Sequence, residues 1–135
     1  ASMDRTFRYM NLPPSVSLPA LRKAEREFRQ PGGFMTNILA RVLLPSLSRA
    51  LYLTANANRT LDALQVVEAV RGYEAAHGAL PASLGALELP IPNDPMTAKA
   101  FDYSVTPGGG ARLESVPPED PSARDTLIYE LTVGK

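Results

Sequence analysis

The sequence predicts an α+β fold in which N-terminal helices, one of them long, precede a small three-stranded antiparallel sheet. Between Asn58 and His77, apolar residues recur at three- and four-residue intervals, the period of one helix face. From Phe101 onward, apolar and polar residues instead alternate singly, and Pro- and Gly-rich stretches separate the alternating runs. Helical periodicity is thus confined to the first part of the chain and strand periodicity to the last third.

The first helix is predicted to follow an extended stretch from Asn11 to Pro19 and to end near Gln30. Ser17 is the predicted N-cap, because its hydroxyl can accept a hydrogen bond from a free amide of the first turn, where Pro19 is tolerated. Pro31-Gly32-Gly33 then breaks the helix. We therefore expect residues 1–33 to form an N-terminal extension with one helix, and residues 34–135 to form an α+β domain.

The segment from Phe34 to Ala57 is rich in helix-forming residues but contains Pro45. Because proline lacks an amide donor and clashes with the preceding turn, the sequence predicts a kink or a short break there. Arg41 and Arg49 make this segment a poor membrane span, which favours a buried helix.

The next helix is predicted to pack through one face and to end at Gly78, which is suited to a left-handed C′ position. Pro81 is expected to start a short helical turn in which Leu84 and Leu87 are anchors. The packing face consists of Ala63, Val66, Val67, Val70, Tyr73 and His77.

Three strands follow in the last third of the chain. Phe101, Tyr103 and Val105 share one face of the first, and a turn at 107–110 leads into the second, at 111–116. The third strand, at 127–133, places Leu127, Tyr129, Leu131 and Val133 on the face opposite Ile128, Glu130 and Thr132.

The amino-acid composition excludes several kinds of binding and catalytic site. The 135 residues include 14 basic and 14 acidic side chains and no cysteine. A net charge of zero argues against a general binder of polyanions. The lack of cysteine in the sequence excludes disulfides, thiolate metal ligands and a cysteine nucleophile.

His77 is the only histidine in the sequence. It is a candidate general base that Glu74 or Asp62 would orient, but a histidine in the last turn before a C′ glycine is also expected on capping grounds alone. We therefore predict no catalytic residue and no enzymatic activity.

Glu114, Glu119, Asp120 and Asp125 supply four carboxylates of the kind that calcium prefers. They lack the spacing of a calcium-binding loop and alternate with prolines, so a solvated acidic loop is the stronger prediction. Gly108-Gly109-Gly110 is predicted to be a turn, because no helix or Lys-Ser/Thr pair follows it as in a phosphate loop. The sequence thus predicts no metal and no cofactor.

A basic cluster lies on the first helix, where Glu25 can pair with Arg29 at i,i+4. A solvated face is the simplest interpretation, and an acidic partner or an anionic membrane surface is the functional alternative. A nucleic-acid partner is not expected, because no aromatic residues alternate with these basic residues. The cluster comprises Arg22, Lys23, Arg26 and Arg29.

One pattern resembles a known family. It runs Tyr73-x-x-x-His77-Gly78-x-x-Pro81-x-x-Leu84-x-x-Leu87, and continues as Pro92-x-Asp94-Pro95-x-Thr97-x-x-x-Phe101-x-Tyr103. It is similar to the core of the type II secretion major pseudopilins and related pilin-like proteins of the bacterial cell envelope. In that family a long helix ends in such a motif, and a loop with Asp-Pro leads into a small antiparallel sheet.

The resemblance covers about 60 residues, from roughly Asn58 to Val116. Ala98 and Ala100 stand where the family has glycine and proline, and residues 115–120 replace its calcium loop, so that loop is not carried over. Gly33-Phe34-Met35-Thr36 superficially resembles the prepilin cleavage site, but Ile38 stands where the family has glutamate. We therefore expect either that a membrane anchor lies in an upstream segment outside this chain, or that a pilin-like domain is reused here in another envelope protein.

The resemblance implies a non-enzymatic structural or assembly protein of the cell envelope or periplasm, with protein partners or self-assembly. An interaction adaptor that docks a partner through the basic face, or through a surface of Ile38, Leu39, Val42 and Leu43, is the alternative. A hydrolase that uses His77 is a third and less favoured hypothesis.

The neutral total also hides a division of charge. Residues 1–60 hold nine basic and three acidic side chains, whereas residues 61–135 hold five and eleven. Such a chain can associate head to tail, or present its basic end to an acidic partner.

Overall fold

The computed structural model describes residues 12–29, 38–115 and 126–132. In chain order its elements are helix α1, Pro14–Arg29; helix α2, Ile38–His77; a 3₁₀ turn, Leu84–Ala86; and strands β1, Asp102–Val105, β2, Ala111–Ser115, and β3, Leu127–Leu131. The strands form an antiparallel sheet in the order β1-β2-β3. Two helices followed by a three-stranded antiparallel sheet confirm the predicted α+β class.

The chain divides into two compact units, residues 1–57 and 58–135. The division falls within α2. The predicted boundary between residues 33 and 34 lies outside the described residues and stays a prediction.

Helix α1 begins at Pro14, four residues before the first helical position that a cap at Ser17 would give. Pro14 occupies the first helical position, where a missing amide costs nothing, and the amides of Val16 and Ser17 donate to the Pro13 carbonyl at 2.9 and 3.0 Å. Ser17 is buried inside the helix, so the prediction that it caps the N-terminus is wrong. Pro19 lies within the helix.

Helix α2 is continuous over 40 residues and passes through Pro45. Of the two predicted outcomes at Pro45, the short break is therefore wrong, whereas the kink stays a prediction. A proline removes only one hydrogen bond of the helical ladder, and the bonds on either side maintain the helical backbone.

In the first unit, α2 is buried along one side only. Leu44, Ser48 and Ala55 are buried, whereas Leu43 and Leu53 are 51% and 57% exposed. Among the described side chains, the prediction of a buried helix over 34–57 therefore holds on one side only, because apolar residues surround the helix while packing covers one face.

The core of the second unit lies between α2 and the sheet. Tyr103 and Tyr129 are among the partly buried side chains that pack against it. The core consists of Ala63, Val66, Val67 and Val70 from α2 together with Phe101, Ala111, Leu113 and Leu131. The predicted helix face is thus confirmed at four positions; Tyr73 is half-buried and His77 is exposed, so the packing does not reach the last turn.

Gly78 ends α2 as predicted. Its φ of 74° is left-handed, and its amide donates to the Glu74 carbonyl at 2.7 Å. The following turn is shorter than expected: it is a 3₁₀ turn that begins after Ser83, and Pro81 is buried ahead of it. Leu84 and Leu87 do pack against the core, as predicted.

The β1–β2 hairpin closes through Thr106, whose amide donates to the Gly110 carbonyl at 2.8 Å and whose carbonyl accepts from Gly109 at 3.0 Å. A side chain at Gly110 would place its Cβ 2.5 Å from the Leu131 carbonyl oxygen, so the turn requires glycine there. Val105 is 47% exposed, contrary to prediction, because it ends an edge strand.

The alternation predicted for the third strand is confirmed. Leu127, Tyr129 and Leu131 are buried or half-buried, while Ile128 and Glu130 are exposed. Val133 lies outside the described residues.

Candidate functional site

A buried charged cluster in the second unit joins α2, the loop before β1, and the end of β2. Arg59 and Asp94 each have side chains only 1% exposed, and Arg59 Nε lies 3.7 Å from Asp94 Oδ2. The guanidinium also donates from Nε to Ser115 Oγ at 3.0 Å and from Nη2 to the Ser115 carbonyl at 2.5 Å. Opposite charges and several hydrogen bonds together offset the cost of removing both ions from water.

Asp94 is held by its own loop as well as by the cluster. Its Oδ1 accepts from the Met96 amide at 2.8 Å, and Ser115 Oγ donates to its Oδ2. The Asp94 amide donates to the Lys99 carbonyl at 2.8 Å, and the Asp94 carbonyl accepts from the Ala98 amide at 2.8 Å. The loop with Asp-Pro that the resemblance implies forms a turn here, and the Asp94 carboxylate organises it.

The buried cluster has the bonding pattern of a structural link. Ser115 is 4% exposed and its hydroxyl donates to a carboxylate, so it has no access to a substrate. The only histidine is 18 positions along the helix from Arg59, which corresponds to about 27 Å of helical rise. A Ser-His-Asp arrangement is therefore impossible here.

Sequence reasoning missed Arg59 as a core residue. A signal for it existed: Arg59 precedes Ala63 by four residues and therefore lies on the same helix face as Ala63, Val66 and Val70. An arginine extending an apolar face toward the core indicates a buried acidic partner.

A polar recess lies beside this cluster, lined by Asp94, Thr97, Lys99, Ala100, Asp102, Glu114 and Ser115. Asp102 and Glu114 face each other across β1 and β2, and Glu114 pairs with Arg112 at 3.0 Å. Within the described ranges, no group of three His, Cys, Asp or Glu residues could hold a metal ion. Of the four acidic loop residues, Glu119, Asp120 and Asp125 lie outside the described residues.

His77 is exposed at the end of α2. Its ring stacks on Tyr73 with centroids 4.0 Å apart, and its Nδ1 lies 2.9 Å from the Tyr73 carbonyl oxygen. In the described part of the chain it makes no hydrogen bond to Glu74 or Asp62, so the two predicted orienting groups are not brought to it. The contacts agree with the capping interpretation.

The basic cluster of α1 is not one uniform solvated face. Arg22 lies over the ring of Tyr52, 5.8 Å from its centroid, while Lys23 and Arg26 are exposed. The predicted pair of Glu25 with Arg29 depends on an arginine side chain outside the described set. Of the predicted apolar surface, the side chain of Leu43 is described and exposed, whereas those of Ile38, Leu39 and Val42 lie outside the description.

An apolar groove in the second unit was also missed. It lies between α2 and the segment after the 3₁₀ turn, on the side of the helix away from the Val66–Val70 core face. Leu61, Leu64 and Leu89 in it are 59%, 41% and 65% exposed. Its lining consists of Leu61, Leu64, Gln65, Glu68, Ala69, Leu89, Pro90, Ile91 and Pro92. Exposed leucines grouped around a concave surface are typical of a docking site.

The described helices include none that is both long enough and apolar enough to span a bilayer. The fold and its sites define an α+β protein whose helix carries one face toward a sheet and another toward an open groove. No family model, curated protein or solved structure matches the chain.

Proposed function

We propose that this chain is a non-enzymatic, pilin-like structural or assembly domain of the bacterial cell envelope, of the kind that serves secretion. Its partners are other protein subunits, including copies of itself, and it uses no cofactor. The proposal depends on the resemblance to pseudopilins and on what the residues of the shared motif do.

The motif residues act at the joints between elements. Gly78 ends the helix with a positive φ, and Asp94 organises the turn before β1. Tyr103 Oη donates to the Pro81 carbonyl at 2.9 Å and so ties β1 to the end of the helix. These contacts give a physical reason why a chain with this layout needs these residues at this spacing.

The observation that carries an assembly role is the apolar groove. Leu61, Leu64 and Leu89 leave substantial apolar surface in water, although the opposite face of the same helix is buried from Ala63 to Val70. Burial of such surface against another subunit is favourable by about 25 cal/mol per Å². By contrast, the buried Ser115–Asp94 pair and the isolated His77 offer a substrate nothing to react with.

Sedimentation velocity over a range of protein concentrations tests the proposal, with electron microscopy of the concentrated samples. We expect concentration-dependent oligomers or filaments. A strict monomer that captures a single envelope protein in pull-down would contradict the assembly role.

The second candidate is an interaction adaptor, and the exposed Lys23 and Arg26 on α1 favour it. An adaptor would bind an acidic protein with an affinity that falls with salt and with charge reversal at these two positions. Binding of the same partner by the reversed variant would remove this candidate.

A further inference from the structure

The apolar groove of the second unit is open and has the composition of a helix-binding site. Leu61 and Leu64 lie one turn apart on α2, and Leu89 and Ile91 form the facing wall. Grooves of this kind bind an amphipathic helix whose apolar residues enter between the walls.

Charge indicates the occupant. Residues 58–135 hold eleven acidic and six basic side chains, whereas residues 1–57 hold three and eight. Glu68 lines the groove but is paired with the exposed Arg71 at 3.0 Å, so the acid that adds negative charge beside the groove is exposed Glu88, which directly precedes Leu89. Two such grooves facing each other would bring like charges together, so symmetric groove-to-groove pairing is unfavourable.

Helix α1 of the first unit is complementary to the groove in its charge and in its exposed apolar residue. Val16 is 51% exposed on it, Leu12 just before it is 42% exposed, and Lys23 follows Val16 by two helical turns on the same face. Lys23 and Arg26 are exposed, with Glu27 as the exposed acid nearby. Leu18 and Leu21 of α1 are buried within the first unit, so its free side offers Val16, with Leu12 just ahead of the helix, and the exposed basic residues farther along. This free side fits a groove with apolar walls, Glu88 at its edge and a net negative unit around it.

We infer that the groove of one copy binds helix α1 of a second copy, so that chains associate head to tail through two different surfaces. This inference rests on the proposed assembly function and names its interface. Since the two surfaces differ, the contact does not close on itself in a dimer, and repeated association produces rings or open chains.

Complementation between two variants tests the interface. Leu64→Gln disables the groove and leaves α1 intact, whereas the double variant Lys23→Glu/Arg26→Glu disables α1 and leaves the groove intact. All the substituted side chains are exposed, so the variants should fold as the wild type does, which circular dichroism verifies. Ile128→Gln and Arg49→Glu are matched controls, being exposed positions outside the groove and outside α1.

Sedimentation velocity of the full chain at low salt gives the readout. We expect the wild type and both controls to oligomerise, and each interface variant alone to associate about tenfold more weakly or worse. An equimolar mixture of the two variants should form a 1:1 dimer and stop there, because it contains one intact groove and one intact α1. Raising the salt to about 0.5 M should weaken wild-type association several-fold.

The outcomes separate this inference from the assembly function. Wild-type oligomers that persist in both variants, or variants that do not complement each other, overturn the head-to-tail contact and leave the assembly function standing. A wild type that stays monomeric at every concentration overturns both.

Discussion

Arg59 and Asp94 carry opposite charges at a place that water does not reach. Each has several polar contacts, and together they connect α2, the Asp-Pro loop and β2. Removing one partner leaves the other charge buried with too few contacts, which costs far more than the pair itself contributes. The Arg59 pair therefore differs from the exposed pair of Arg71 with Glu68, although both are arginine–carboxylate contacts.

Arg59→Met should lower the free energy of unfolding by about 3–5 kcal/mol, because it leaves Asp94 buried without its counterion. Urea unfolding followed by circular dichroism measures the change. The matched control is Arg71→Met, at a pair 3.0 Å apart but exposed, where we expect a loss of at most about 1 kcal/mol. Equal losses in the two variants would show that the buried link is unimportant.

Tyr103 connects β1 to the end of α2 and titrates differently from a free tyrosine. Burial raises the pKa of Tyr103 above its ordinary value of 10.0, because the charged phenolate is poorly solvated there. Its protonated hydroxyl donates to Pro81. The folded protein thus holds this proton more tightly than the unfolded chain does.

The stability that Tyr103 contributes should be complete below pH 10 and should decline as the pH rises from there through the raised folded pKa. Urea unfolding of wild type and Tyr103→Phe at pH 8 and at about pH 11 checks this, since all other titrations are common to both chains. At pH 8 the variant should be less stable by about 0.5–1.5 kcal/mol, the value of one hydrogen bond. The difference should shrink at the higher pH; a constant difference would contradict the coupling.

Among the elements, α2 shows how proline and glycine act differently in one helix. Pro45 is accommodated within the helix, whereas Gly78 ends it. The helix ends where its apolar face runs out and Gly78 adopts a φ of 74°, a conformation that other residues enter at a cost. Residue type alone therefore does not decide where a helix stops.

Gly78→Ala should destabilise the protein by about 1 kcal/mol, because alanine has a higher conformational energy than glycine in the left-handed region. Gly72→Ala is the opposite case: the position is inside α2, a new Cβ would meet nothing within 4 Å, and we expect a gain of about 0.5–1 kcal/mol. Thermal melting of both variants provides the comparison. Stabilisation by both substitutions would mean that the end of the helix adapts without Gly78.

On the scale of the whole molecule, a bound metal would stabilise the native state against unfolding. We expect no shift of the melting midpoint between about 5 mM calcium and excess chelator. The comparison is sensitive, because calcium bound at a hundred times its Kd would raise the free energy of unfolding by about 2.7 kcal/mol. The expectation follows from the spacing of Glu114, Glu119, Asp120 and Asp125. An upward shift with calcium would assign a metal site to this acidic segment.

The sequence was sufficient where the structure depends on local periodicity and turn chemistry. Alternation placed Tyr129 and Leu131 on the inner face of β3, and the helical period placed Val66 and Val70 in the core. It failed for the cap at Ser17 and for a break at Pro45, because a helix boundary depends on the balance of the whole helix and not on one residue.

The buried charged cluster and the apolar groove show the same limit of prediction from the sequence. Arg59, Asp94 and Ser115 are separated by 35 and 21 positions in the chain, and although the helix face of Arg59 indicates a buried acidic partner, nothing local indicates which residue that partner is. The groove likewise needs Leu61 and Leu89 to face each other across a turn. A periodic pattern shows which residues share a face but not what that face meets.

The sequence by itself determined the α+β order, the core face of the long helix, the glycine that ends it, and the division of charge along the chain. Those features arise from neighbours within a few residues, for which periodicity and backbone preference are sufficient. Only the tertiary structure decided that Arg59 is neutralised inside the second unit and that Leu61, Leu64 and Leu89 remain uncovered. Burial is a property of surfaces brought together from distant parts of the chain, and the protein's binding chemistry depends on which apolar surface is left over.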